Sequence, residues 1–151
     1  MLQQLKALFE QDKPDQQPNE QDIQLAAASL MFELIRSDGS VDDVEIEQLG
    51  TILCSHFNLK EADVDALIDD AKNSAEEAIS LHGFTRKICD SWNNEQRVQL
   101  IENLWVLALA DQTIDAHERH LVRKVAGLLY LTDRQINVAQ ETAKQTIKAS
   151  Q

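Results

Sequence analysis

Asp38-Gly39-Ser40-Val41-Asp42-Asp43-Val44-Glu45 returns further along the chain as Asp111-Gln112-Thr113-Ile114-Asp115-Ala116-His117-Glu118, with Asp, a branched apolar residue, Asp and Glu in step. A repeated segment with helical sequence on either side marks a duplicated supersecondary unit, and such units become stable by burying a shared core between copies. The same register brings Met31 over Leu104 and Leu34 over Leu107; beyond Glu45 it slips by one, so that Leu59 matches Leu131. Each unit therefore reads as a helix, an acidic bend, and a second helix ending in a short apolar tail. The apolar residue inside each bend, Val41 or Ile114, is expected to pin the bend to the core and to be buried.

The remaining pattern is helical. Ile23, Ala27, Leu30 and Leu34 step by four, three and four, as one face of an amphipathic helix requires, with Asn19 as its expected N-cap. A helix after Asp42 turns Ile46, Leu49, Ile52, Leu53 and Phe57 inward, and a third covers about 60–80 through Val64, Leu67, Ile68, Ala71, Ala78 and Ile79. Gly83 reads as a break, followed by a short helix through Phe84 and Ile88. Helix 95–110 carries Val98, Leu100, Ile101, Leu104, Trp105, Leu107 and Ala108 around most of its circumference, which predicts a central, buried element. After Asp115 comes a helix with Leu121, Val122, Val125, Ala126 and Leu129 inward. Thr132 caps the last helix, with Gln135 at the capping-box position and Ile136, Ala139, Ala143 and Ile147 on its inner face. No stretch alternates with period two, so the expected fold is an all-α, single-domain bundle of about seven helices in two pseudo-symmetric halves.

Residues 1–19 stand apart from the body at 20–151. Leu2, Leu5, Leu8 and Phe9 share one helical face, and Pro14 and Pro18 follow in a polar stretch, so the segment reads as a short helix on a tether, expected to dock on the body in preference to seizing a partner or, with Lys6 the helix's one basic residue, touching a membrane.

The chain of 151 residues is long enough to bury a core without staples, and its two cysteines, Cys54 and Cys89, sit in apolar helical contexts without metal-ligand spacing. No charged leader or apolar span stands out, and a cytoplasmic location is expected. The net charge is −12, and twelve of the acids lie between Asp38 and Glu77 against Lys60 and Lys72 alone. Such a field repels phosphate backbones and anionic lipid and attracts cations and basic protein surfaces; nucleic-acid binding and a membrane span are not expected.

Four readings of the bends compete. As structure, Asp42-x-x-Glu45 and Asp115-x-x-Glu118 have the composition of capping boxes, with Gly39 as a left-handed residue closing the helix before it. As metal chemistry, the carboxylates gather round a hard cation, calcium or magnesium, although the glycine and twelfth-position glutamate of an EF-hand are missing. As a docking surface, they receive Lys or Arg from a partner. As catalysis, they would need a cleft and a raised pKa, and no phosphate loop, Ser/His/Asp order or HExxH accompanies them, so no enzyme is expected. His117 and His120, an i, i+3 pair, read as surface histidines before ligands, and His56 and His82 as helix-end residues. Trp92 and Trp105 read as rim and core.

Ser37 to Ile46 and Ala110 to Glu118, each followed by an apolar helix, resemble the TerB-like family, named for bacterial tellurite resistance and related to the N-terminal domain of the DjlA co-chaperones. The likeness covers roughly residues 20–148. It implies an all-helical module with two related halves, a place in tellurite and stress response, and divalent-cation binding carried over onto Asp38, Asp42 and Glu45 in the first half and Asp111, Asp115 and Glu118 in the second. Gln112 departs from the family's usual glycine. The His-Pro-Asp signature of a J-domain is missing, so the chain looks like a free-standing member.

Overall fold

The computed structural model describes residues 20–37, 41–76, 81–109 and 115–150. Among them are seven helices and no strand: α1 Glu20–Arg36, α2 Asp43–Phe57, α3 Glu61–Glu76, α4 Leu81–Ser91, α5 Asn94–Ala108, α6 Ala116–Leu128 and α7 Asp133–Ser150. The expected short helix at residues 1–10, its tether, the Asn19 cap, and Ala78 and Ile79 lie outside the described residues.

Two helices form the centre. α5 buries Leu100, Ile101, Leu104, Trp105, Leu107 and Ala108, as its apolar circumference predicts. Its partner is α1, which the sequence pattern presents as a one-sided helix. In the structure every residue from Ala26 to Phe32 is buried, together with Leu34 and Ile35. The small side chains of Ala26, Ala27, Ala28 and Ser29 let α2, α3, α4, α5 and α6 all close on this one helix. A stripe count weighs alanine weakly, and so misses a helix buried because its neighbours come near rather than because its side chains are large.

The contacts repeat across the centre. α1 rests chiefly on α3, and α5 chiefly on α7; α1 meets α2 as α5 meets α6; α2 reaches across to α5 as α6 reaches across to α1; and α1 meets α5. Exchanging the first three helices for the last three carries this set onto itself, as a copied unit facing its original requires. α4 stands outside the exchange and packs on α1 and α6. The α2–α3 packing has no equally close counterpart between α6 and α7, where Arg123 Nη2 donates to Asn137 Oδ1 at 3.4 Å.

Both halves also close their second helix in the same way. Asn58 after α2 (φ 55°) and Tyr130 after α6 (φ 61°) are left-handed, and the next amide in each case reaches back to a carbonyl five residues earlier, Leu59 N–H to Cys54 O at 3.2 Å and Leu131 N–H to Ala126 O at 3.1 Å. This is the left-handed helix closure that satisfies two carbonyls otherwise left open. The register slip that pairs Leu59 with Leu131 places Asn58 on Tyr130, so the slip is part of the fold.

Helix starts are built with side chains. Asn93 and Gln96 form a complete capping box on α5, each side chain bonding the other's amide at 2.9 Å. Thr132 and Gln135 do the same on α7, with Thr132 N–H donating to Gln135 Oε1 at 2.9 Å and Gln135 N–H to Thr132 Oγ1 at 3.2 Å. Gly83 is not a break: it is the third residue of α4, which already begins at Leu81. Within the second half, Arg97 ties the start of α5 to the end of α6, its Nη1 donating to Leu129 O at 2.7 Å.

Candidate functional site

The described part of each acidic bend is a helix cap. Asp42 is extended (φ −103°, ψ 146°) and its Oδ1 accepts the Val44 amide at 3.0 Å; Asp115 is extended (φ −65°, ψ 148°) and its Oδ1 accepts the His117 amide at 2.8 Å. Each cap contributes about 1 kcal/mol to its helix. Glu45 and Glu118, three residues on, are half-buried and each has a partner within the chain. Asp38, Gly39, Asp111, Gln112 and Ile114 lie outside the described residues. Val41 does not pin its bend: it is 46% exposed, and Val44 is 67% exposed. The first turn of α2 projects past the core, and the inward set begins only at Ile46.

Among the described residues no three His, Cys, Asp or Glu side chains gather as a metal group. A cation shared by the bends would need Asp38 and Asp111 beside the four described carboxylates, two of which already hold a helix amide. His117 and His120 are exposed on the first turns of α6. Cys54, expected among apolar neighbours, is exposed, and its thiol donates to Leu59 O at 3.0 Å.

A different region is concave. The first two turns of α1, the corner from Phe57 to Leu59 and the outer face of α3 enclose a groove of about 620 Å³. Leu25, Phe57, Leu59, Ala66 and Leu67 supply its apolar lining, and Glu20, Asp22, Asp63 and Asp70 its carboxylates. On the other side of Glu20 a second hollow of about 290 Å³ is lined by Ile23, Gln24, His56, Trp92, Gln96 and Gln99, with Phe57 shared between the two. His56 packs edge-on against Phe57 (ring centroids 4.7 Å apart) and tilted against Trp92 (5.7 Å). Its Nδ1 lies 2.9 Å from Asn103 Nδ2; with the amide donating, the ring is the neutral Nε2–H form. Burial lowers the His56 pKa, in agreement with a neutral ring. Burial also raises the pKa of the half-buried Glu102 carboxyl on α5. The aromatic corner was not foreseen, because Phe57 and Trp92 belong to different helix ends and only the fold joins them.

No helix among the described residues is long and apolar enough to cross a membrane. A search of curated proteins finds no match. The fold is similar to that of a crystal structure of a protein of unknown function from Porphyromonas gingivalis W83, with a TM-score of 0.62 at 19% identity over 84% of this chain and 97% of that one. A profile of the tellurite resistance protein TerB matches residues 24–141, which takes in both acidic bends and all seven helices in whole or in part. With the duplicated bends, the paired central helices and that match in agreement, the chain belongs to the TerB family, a tellurite-resistance-related domain.

Proposed function

We propose that this chain is a non-enzymatic, cytoplasmic stress-response module of the TerB family that works by holding other proteins against its acidic face. The observation that carries the reading is the placement of charge. The segment from Asp38 to Glu77 holds twelve acids and two lysines, and its helices α2 and α3 pack on one another, with α3 walling the larger groove and α2 ending at it in Phe57. A field of this sign speeds the approach of basic surfaces and rejects acidic ones. The test is capture of partners from tellurite-stressed cells on the immobilised full chain. Partners enriched in basic surface and released by moderate salt support the reading; captured proteins that are acidic, or bound as well in high salt, refute it.

Divalent-cation binding at the bends is the second reading, favoured by the equivalence of the Asp42 and Asp115 caps in backbone and bonding. Titration with calcium and magnesium separates it from caps alone. Saturable amide shifts shared by both bends and lost in Asp115→Asn, which keeps the cap, support a cation; unsaturable drift leaves a structural role.

A further inference from the structure

We infer that the groove between α1 and α3 is a docking site for a basic amphipathic helix of a partner protein, with two Lys or Arg side chains seven residues apart flanking apolar ones. The inference rests on the interaction reading above and gives it a place and a partner chemistry. Asp63, Ala66, Leu67 and Asp70 line the groove from α3, and their spacing of three, four and seven puts them on one helical face. That face has an exposed carboxylate at each end, and between them the small, exposed Ala66 beside the buried Leu67. Seven residues of helix rise about 10 Å, so a helix lying along α3 meets Asp63 and Asp70 with residues seven apart on its own surface. Between them it offers side chains three and four apart to Leu25, Phe57 and Leu59.

Charge decides the occupant. Glu20, Asp63 and Asp70 are exposed, and none is in an ion pair among the described residues. Asp22 has a partner within the chain. Lys60 lies just before α3 and does not line the groove, and Lys72 is on the opposite side of α3 from Asp63. The rival occupant is the chain's own residues 1–19, which lead into α1 at the groove's rim. They carry Lys6 and Lys13 against Glu10, Asp12 and Asp15, a poor match for a groove lined with carboxylates.

The test uses the full chain and a labelled synthetic helix with two Lys seven apart around Leu at the intervening third and fourth places. Its comparators are a peptide of equal composition with the Lys spacing scrambled, and one with Glu for Lys. Fluorescence anisotropy should show saturable, salt-sensitive binding of the first alone, with amide shifts at Leu25, Phe57, Leu59 and Ala66. Reversal of both rim charges, Asp63→Lys with Asp70→Lys, should weaken binding about tenfold or more, while Asp133→Lys with Glu141→Lys should change it less than about twofold. Equal binding of the scrambled peptide, equal loss with both variant pairs, or unshifted groove amides would overturn the site. The site also falls if Leu5→Asp with Leu8→Asp moves the groove amides and tightens peptide binding about tenfold, since residues 1–19 are then the occupant. A natural partner captured on another part of the acidic face leaves the interaction reading standing and sinks only the groove.

Discussion

Tyr130 and Asn58 offer a paired substitution in which the fold demands opposite signs. Both are left-handed, at φ 61° and 55°, and both close the second helix of a half through equivalent amide bonds. An ordinary side chain in that conformation costs about 1–2 kcal/mol, while asparagine tolerates it and glycine has no Cβ to crowd. The Tyr130 ring is 77% exposed, so its removal forfeits little burial. Tyr130→Gly should therefore release about 1–2 kcal/mol of strain and lose roughly 0.5–1 to glycine's extra freedom in the unfolded chain, a net gain of about 0.5–1 kcal/mol. At about 2 cal/mol/K of unfolding entropy per residue, that gain raises Tm by roughly 2–3 °C. Asn58→Ala, the mirror experiment, should lose about 1 kcal/mol and lower Tm by roughly 3 °C. Thermal and urea unfolding followed by far-UV circular dichroism reads both changes. A Tyr130→Gly protein no more stable than the parent, beside an Asn58→Ala protein no less stable, would refute the reasoning that the two closures are equivalent and strained in one half only.

Further outcomes follow from the same geometry. Asp42→Ala and Asp115→Ala should each cost about 1 kcal/mol in urea unfolding, with Asn at either place restoring most of it; full stability in both alanine variants would show that these carboxylates are not caps. Gly127 is exposed within α6 and a Cβ there meets nothing within 4 Å, so Gly127→Ala should stabilise by about 0.5–1 kcal/mol, and a lower urea midpoint would contradict the open space seen at that position. His56 has a folded pKa below its ordinary 6.5, so below that pH the unfolded chain takes up a proton that the folded chain resists. Its effect is nil well above pH 6.5 and destabilising as pH falls through 6.5 toward the folded value. The drop in Tm over that interval should shrink in His56→Gln, and an unchanged drop would assign it to other groups.

The doubled motif carries a great deal of the fold because duplication constrains contacts that local pattern cannot reach: it pairs α1 with α5 and α2 with α6 before any packing is seen. The caps at Asp42, Asp115 and Thr132 were legible for a local reason, since a capping bond spans two or three residues and depends on little else. Val41 was misread because its alternation with acids says nothing of where the core ends, and the start of α2 projects past it. α1 was under-read because its burial comes from the approach of five neighbours to a run of alanines, a tertiary fact. The groove was invisible for the same reason. Glu20, Phe57 and Asp70 are far apart in the chain, and each alone is an ordinary surface or helix-end residue.

Trp105 is wholly buried at the centre, while Trp92 is half-buried at the aromatic corner against His56. The two indoles thus occupy unlike surroundings, and each has a light signal of its own. Emission from Trp105 belongs at short wavelength and shifts red only when the paired central helices part. Emission from Trp92 depends on a neighbouring imidazole that quenches more strongly once protonated. Single Trp→Phe variants would turn the unlabelled chain into two optical gauges, one for loosening of the core and one for events beside the hollows, read in the same cuvette.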